Sequence, residues 1–169
     1  MTDRDLFPAA ERVAALLREA GLRLSTAESC TGGLISKLIT DVPGSSDVFM
    51  GGVVSYANEV KMSPLGVPAE TLATVGAVSE ETALAMADGA RRVCHADIAV
   101  STTGIAGPGG GMPEKPVGTV WIAVSCERRK EAKLLHLPSD ADREAIRLMT
   151  AANVLELLSE TIETKYKIK

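Results

Sequence analysis

Apolar side chains change their spacing repeatedly along this chain, and each change marks an element. Over 8–20, Val13, Leu16, Leu17 and Ala20 share one helical face, and Gly21 supplies the stop. The run 22–26 reads as a strand that leads into Ala27-Glu28-Ser29-Cys30-Thr31-Gly32-Gly33. Leu34, Ile35, Leu38 and Ile39 then return to helical spacing until Pro43-Gly44-Ser45-Ser46 ends the helix. A strand is predicted over 50–56, weakened at its start by Gly51-Gly52, and a short helix after it carries Lys61. Ser79 has the character of an N-cap, with Glu80 and Glu81 in the first turn and Ala83, Met86, Ala87, Ala90 and Cys94 as the apolar stripe. The buried strand predicted over 97–103 empties into the glycine-rich segment 104–111. Two further strands, 117–125 and 131–137, are joined by a polar turn at 127–130 and read as an antiparallel hairpin. A terminal helix begins at 139 or 140 and runs through 158. This alternation predicts one α/β domain over 1–169, an α/β/α sandwich around a mixed, mostly parallel sheet.

Composition sharpens that picture. With 169 residues, 46% hydrophobic and 24% charged, the chain suits one folded domain, and 3% aromatics leave its core to aliphatic side chains. No apolar run approaches the roughly 20 residues of a membrane span, and the first residues lack a signal-peptide layout, so a cytoplasmic enzyme without membrane contact is expected. Cys30, Cys94 and Cys126 form no C-x-x-C pair, which speaks against a disulfide framework or zinc knuckle; no metal and no cofactor are expected. A net charge of −4 argues against general nucleic-acid binding.

The chemistry concentrates in two loops. Ser29 to Gly33 lie between a strand and a helix, where backbone N–H groups suit an oxyanion or phosphate, although capping accounts for Ser29 and Thr31 as readily. The 104–111 segment is followed by a strand, so it is no Rossmann fingerprint, and it lacks the Gly-Lys-Ser/Thr of a P-loop. A backbone-lined ligand site is the favoured reading, with a mobile surface loop as the alternative. His95, at a helix end, and His136, in a strand, are poor candidates for the base of a Ser-His-Asp hydrolase. A Ser–Lys arrangement is the alternative, with Lys61 and Tyr56 as the pair to supply it. Arg143, in the first turn of the last helix, hints at an anionic partner, and Arg147 lies one turn further on the same face.

Together, Ala27-Glu28-Ser29-Cys30-Thr31-Gly32-Gly33, Tyr56-Ala57-Asn58-Glu59-Val60-Lys61, Gly76-Ala77-Val78-Ser79, Thr103-Gly104-Ile105-Ala106-Gly107-Pro108 and Lys115-Pro116-Val117-Gly118 resemble the C-terminal domain of the CinA, or competence-damage-inducible, family. The resemblance runs in order from about residue 8 to 160. It implies nicotinamide mononucleotide deamidation in pyridine nucleotide salvage, with a small-molecule nucleotide as partner. By position, Ser29 would be the nucleophile, Lys61 its base and Tyr56 an assistant. Thr103 and Arg143 would bind substrate, the amides of Thr31, Gly32 and Gly33 would hold the oxyanion, and the Gly104 to Gly107 backbone would help Arg143 with the phosphate. Met112 stands where relatives are expected to carry a small hydroxyl residue. The length leaves no room for the extra N-terminal domain of some relatives, so the stand-alone form is expected, as a homo-oligomer. Three rivals stay open: Cys30 as nucleophile, a non-enzymatic pyridine-nucleotide-binding or competence-related regulatory module, and an esterase or amidase of neutral substrates.

Overall fold

A computed structural model describes residues 1–167, so the last two positions of the expected 1–169 domain lie outside the described residues. Helix α1 (Asp3–Ala20) begins five positions before the expected start at residue 8. The reason lies at its N-terminus, where the Asp5 carboxylate accepts from both the amide and the hydroxyl of Thr2. That reciprocal cap lets the helix begin ahead of Pro8. At the other end Gly21 takes a left-handed φ of 65°, and the amide of Leu22 reaches the carbonyl of Leu17.

Strand β1 (Leu24–Glu28) is shifted two residues from the expected 22–26 and is buried throughout. Its polar Ser25, Thr26 and Glu28 obscure the hydrophobic run that a central parallel strand usually shows. Helix α2 (Leu34–Thr40) and a single 3-10 turn over Ser45–Asp47 lead to β2 (Phe49–Val54), which forms one edge of the sheet. Short helices α3 (Asn58–Met62) and α4 (Ala69–Thr74) precede α5 (Glu80–Val93), where the Ser79 hydroxyl accepts from the Thr82 amide. Strand β3 (Ile98–Gly104), the hairpin β4 (Thr119–Cys126) and β5 (Arg129–His136), and α6 (Arg143–Tyr166) complete the order. Only Glu127 and Arg128 separate the hairpin strands, a tighter turn than the 127–130 expected. Helix α6 starts later than predicted because Asp142, rather than residue 139 or 140, caps it by accepting from Ala145 N at 2.7 Å. It continues past 158 because Thr161 and Ile162 are still buried.

The sheet order is β2-β1-β3-β4-β5. The β1–β2 and β1–β3 ladders are parallel, those of β4 with β3 and β5 antiparallel. Every strand except β4 therefore points the same way, in the mixed α/β architecture expected. Helices α1, α2 and α6 pack together on one face over Leu24, Ile98 and Ile122. Helix α5 covers the other, seated on Ala27 and Ala99 through Met86 and Ala90. No described helix is long and apolar enough to cross a membrane. From β1 the chain moves to β2 through α2; from β2 it crosses back to β3 through α5 on the opposite face. The loops leaving β1 and β3 thus diverge, opening a crevice at their carboxyl ends, where such sheets receive ligands.

Candidate active site

Ser29 is the first residue beyond β1 and stands at that crevice, 9% exposed, its amide donating to Thr102 O at 3.0 Å. What holds it there is Glu28, a fully buried carboxylate. It accepts from the amides of Gly33, Ile35 and Ser36 at 3.0, 3.1 and 2.8 Å, and from the hydroxyls of Thr31 and Ser36, each at 2.7 Å. Among the described residues it has no cationic partner, and the charge is tolerable because neutral donors surround it at the positive end of α2. This corrects one expectation. The Gly33 amide is spent on Glu28 and the Gly32 amide on Ser29 O at 3.1 Å, so neither is free for an oxyanion. Thr31 is buried as well, its hydroxyl shared between Glu28 and Thr102. Glu28 was missed because a carboxylate beside a Ser/Thr/Gly turn reads as solvated, and the predicted strand ended two residues before it.

Lys61 reaches Ser29 from α3. Its Nζ lies 3.2 Å from Ser29 Oγ and also donates to Ser55 O at 2.7 Å and Tyr56 O at 3.3 Å. The side chain is 1% exposed, and burial pushes its pKa below the usual 10.5, opposed weakly by Cys30. Cys30 is buried and its thiol is pushed up to about 12, chiefly by desolvation and further by the Glu28 charge. A thiol in that condition is a poor nucleophile, which weighs against Cys30.

Ser29 and Lys61 share a cavity of about 280 Å³ with Thr103, Gly104, Gly107 and Arg143. Thr103 is less free than expected, since its hydroxyl donates to Ala77 O at 2.7 Å. Tyr56 meets Lys61 through its carbonyl alone. Its side chain is 60% exposed at the cavity mouth, where its hydroxyl accepts from Arg143 Nη2 at 2.5 Å. Arg143 also donates to Gly107 O at 2.7 Å, bridging the glycine loop to the β2 side of the crevice. Among the described residues Arg143 makes no ion pair.

Gly32 and Gly33 fall outside this cavity and line a neighbouring one of about 560 Å³ with Arg143 and Arg147. Arg147 donates to Thr31 O from Nε and Nη2 and so braces the turn after Ser29. Neither His95 nor His136 lines the Ser29 cavity, nor does Met112, which is exposed. The geometry amounts to a hydroxyl, a desolvated amine in contact with it, and a guanidinium at the mouth that makes no ion pair among the described residues, an arrangement that can activate a serine hydroxyl as a nucleophile.

The comparisons agree with that fold. A model of the CinA C-terminal domain matches residues 7–162. A CinA-like protein of Geobacter sulfurreducens is 51% identical over 152 residues, covering 90% of this chain and 36% of that protein. The chain thus spans little more than a third of the curated relatives it matches. A competence/damage inducible protein of Agrobacterium tumefaciens, CihA, has a crystal structure 45% identical in sequence, with a TM-score of 0.88 and 94% of each chain covered. A CinA superfamily protein of Klebsiella pneumoniae is 34% identical with a TM-score of 0.90, covering 97% of this chain and 99% of that one.

Proposed function

The chain belongs to the CinA C-terminal domain family, and on that premise we propose that it hydrolyses the carboxamide of nicotinamide mononucleotide to nicotinate mononucleotide and ammonia. The observation that carries this reading is the buried Lys61 amine 3.2 Å from Ser29 Oγ. With Lys61 neutral, two N–H groups remain on the carbonyls of Ser55 and Tyr56, and the lone pair faces the Ser29 hydroxyl. Ser29 Oγ attacks the carboxamide carbon as its proton passes to Lys61 Nζ. The resulting ammonium returns that proton to the departing nitrogen, so ammonia leaves and an ester to Ser29 remains. Water, deprotonated in turn by Lys61, cleaves the ester and restores the enzyme.

The oxyanion falls to the amide of Cys30, the residue after the nucleophile and part of the cavity wall. Arg143 gives the phosphate a guanidinium that at present satisfies only neutral oxygens. Tyr56 then serves by orienting Arg143 rather than by assisting Lys61.

Ammonia release from nicotinamide mononucleotide, measured for the wild type and for Ser29→Ala, tests the reading. Release by the first and not by the second is expected. A folded wild type that releases none overturns the deamidase and leaves the binding-module reading.

A further inference from the structure

Two stretches of the sequence that carry the family resemblance take no part in the mechanism above: Gly76-Ala77-Val78-Ser79 and Lys115-Pro116-Val117-Gly118. They meet in the fold. Lys115 Nζ donates to the carbonyls of Val75 at 3.2 Å and Val78 at 2.8 Å, from a position 37 to 40 residues away in the chain. The carbonyls between them are also engaged. Gly76 O accepts from the hydroxyls of Ser79 at 2.9 Å and Thr82 at 2.8 Å, and Ala77 O accepts from Thr103. The whole 75–78 segment is thereby fixed by its acceptors, and Ala77 and Val78 form part of the Ser29 cavity wall.

Lys115 itself belongs to the excursion that carries the glycine-rich wall. That excursion closes at its base through Gly118 N to Ile105 O at 2.9 Å. Within it, Lys115 exchanges backbone hydrogen bonds with Met112 at 2.9 and 3.0 Å. Gly111 packs so closely that a Cβ there would lie 2.9 Å from Val117 N. Among the described residues Lys115 has no carboxylate partner, so its charge is directed wholly at the two carbonyls, one of them the C-cap of α4.

We propose that Lys115 is a positioning residue that ties the glycine-rich wall of the Ser29 cavity to the 75–78 wall and so sets the width of the substrate cleft. The proposal rests on the Ser29 cavity being the catalytic site. It acts through wall placement and leaves the Ser29–Lys61 contact alone, so binding should suffer more than the chemical step.

The test compares the full-length wild type, Lys115→Met and Lys115→Arg. Hydrogen exchange is followed at the Gly76 and Thr82 amides, which are hydrogen-bonded to Thr71 O and Ser79 Oγ. For Lys115→Met, exchange at these amides should accelerate by about tenfold or more, as loss of charge-assisted hydrogen bonds implies. KM for nicotinamide mononucleotide should rise by a similar factor with kcat within about threefold, and Lys115→Arg should recover part of both. Unchanged exchange at Gly76 and Thr82, acceleration spread evenly over the chain, or a loss confined to kcat would overturn the proposal. If the wild type releases no ammonia, the deamidase reading fails by itself, and the exchange data still decide whether Lys115 holds the wall.

Discussion

The Lys61 amine has three oxygens around it, those of Ser29, Ser55 and Tyr56, and almost no water. As an ammonium it satisfies all three; as an amine it satisfies two and turns its lone pair on the hydroxyl. Desolvation is the cause that moves its pKa down, and the direction has a consequence for stability. Between the lowered folded value and 10.5 the unfolded chain holds more protons than the folded one, so stability rises with pH across that window. Below it the cost of charging a buried amine is present in full. We therefore expect the unfolding free energy of the wild type, relative to Lys61→Met, to climb as pH rises toward 10.5 and to level off beyond. Urea unfolding of both proteins from neutral to alkaline pH measures this, and a flat difference would remove desolvation as the cause. The same substitution should lower kcat by roughly 100- to 10,000-fold, the usual worth of a general base. The lysine was legible in the sequence as one half of the Lys61–Tyr56 pair, with its role as base carried by the resemblance. That Tyr56 offers it a carbonyl, and its ring to Arg143, was not, because residue spacing says nothing of which atom turns inward.

At the level of elements, the junction of β1 and α2 depends on a single carboxylate. Helix α2 has seven residues, too few to be stable by propensity, and its N-cap is Gly33, which contributes no side-chain acceptor. Glu28 replaces the missing cap from the strand before it. The strand, turn and helix were each legible from periodicity, and so was the concentration of chemistry in the turn. The strand's reach to Glu28 was hidden because polar residues interrupt its apolar run. Helix α4 was hidden for the opposite reason, having no buried residue and hence no stripe to read. Glu28→Gln tests the cap. An amide group presents N–H where the carboxylate presents oxygen, so at least one of the amides of Gly33, Ile35 and Ser36 loses its acceptor. A loss of about 1–3 kcal/mol in unfolding free energy is expected, together with a lower kcat as Ser29 drifts from Lys61. Full activity with unchanged stability would show that the turn is held by its other contacts.

Across the whole molecule, the crevice exists because the chain reverses direction across the sheet between β1 and β3, covering opposite faces with α2 and α5. Periodicity predicted the layers and the terminal hairpin, but strand order is a property of long-range pairing, which no local window contains. The same limit hid how Arg143, at the start of the last helix, comes to stand over a serine that follows the first strand. Its assignment rested on resemblance, and the fold supplies the reason: α6 packs beside α2, and its first turn overhangs the cavity mouth. A ligand seated there would touch residues from the β1–α2 turn, α3, the glycine-rich loop and α6 together, and would stabilise the folded chain as a unit. Ser29→Ala makes that measurable, since it should bind nicotinamide mononucleotide without consuming it. At ligand concentrations of about 100 times Kd the stabilisation should approach 2.7 kcal/mol, enough to raise Tm by several degrees in a chain of this size. Adding Arg143→Ala to that protein should remove most of the shift, as should replacing the nucleotide by the riboside, because each deletes one side of the guanidinium–phosphate pair. Equal shifts from nucleotide and riboside would show that the phosphate adds nothing to binding and would overturn Arg143 as its partner.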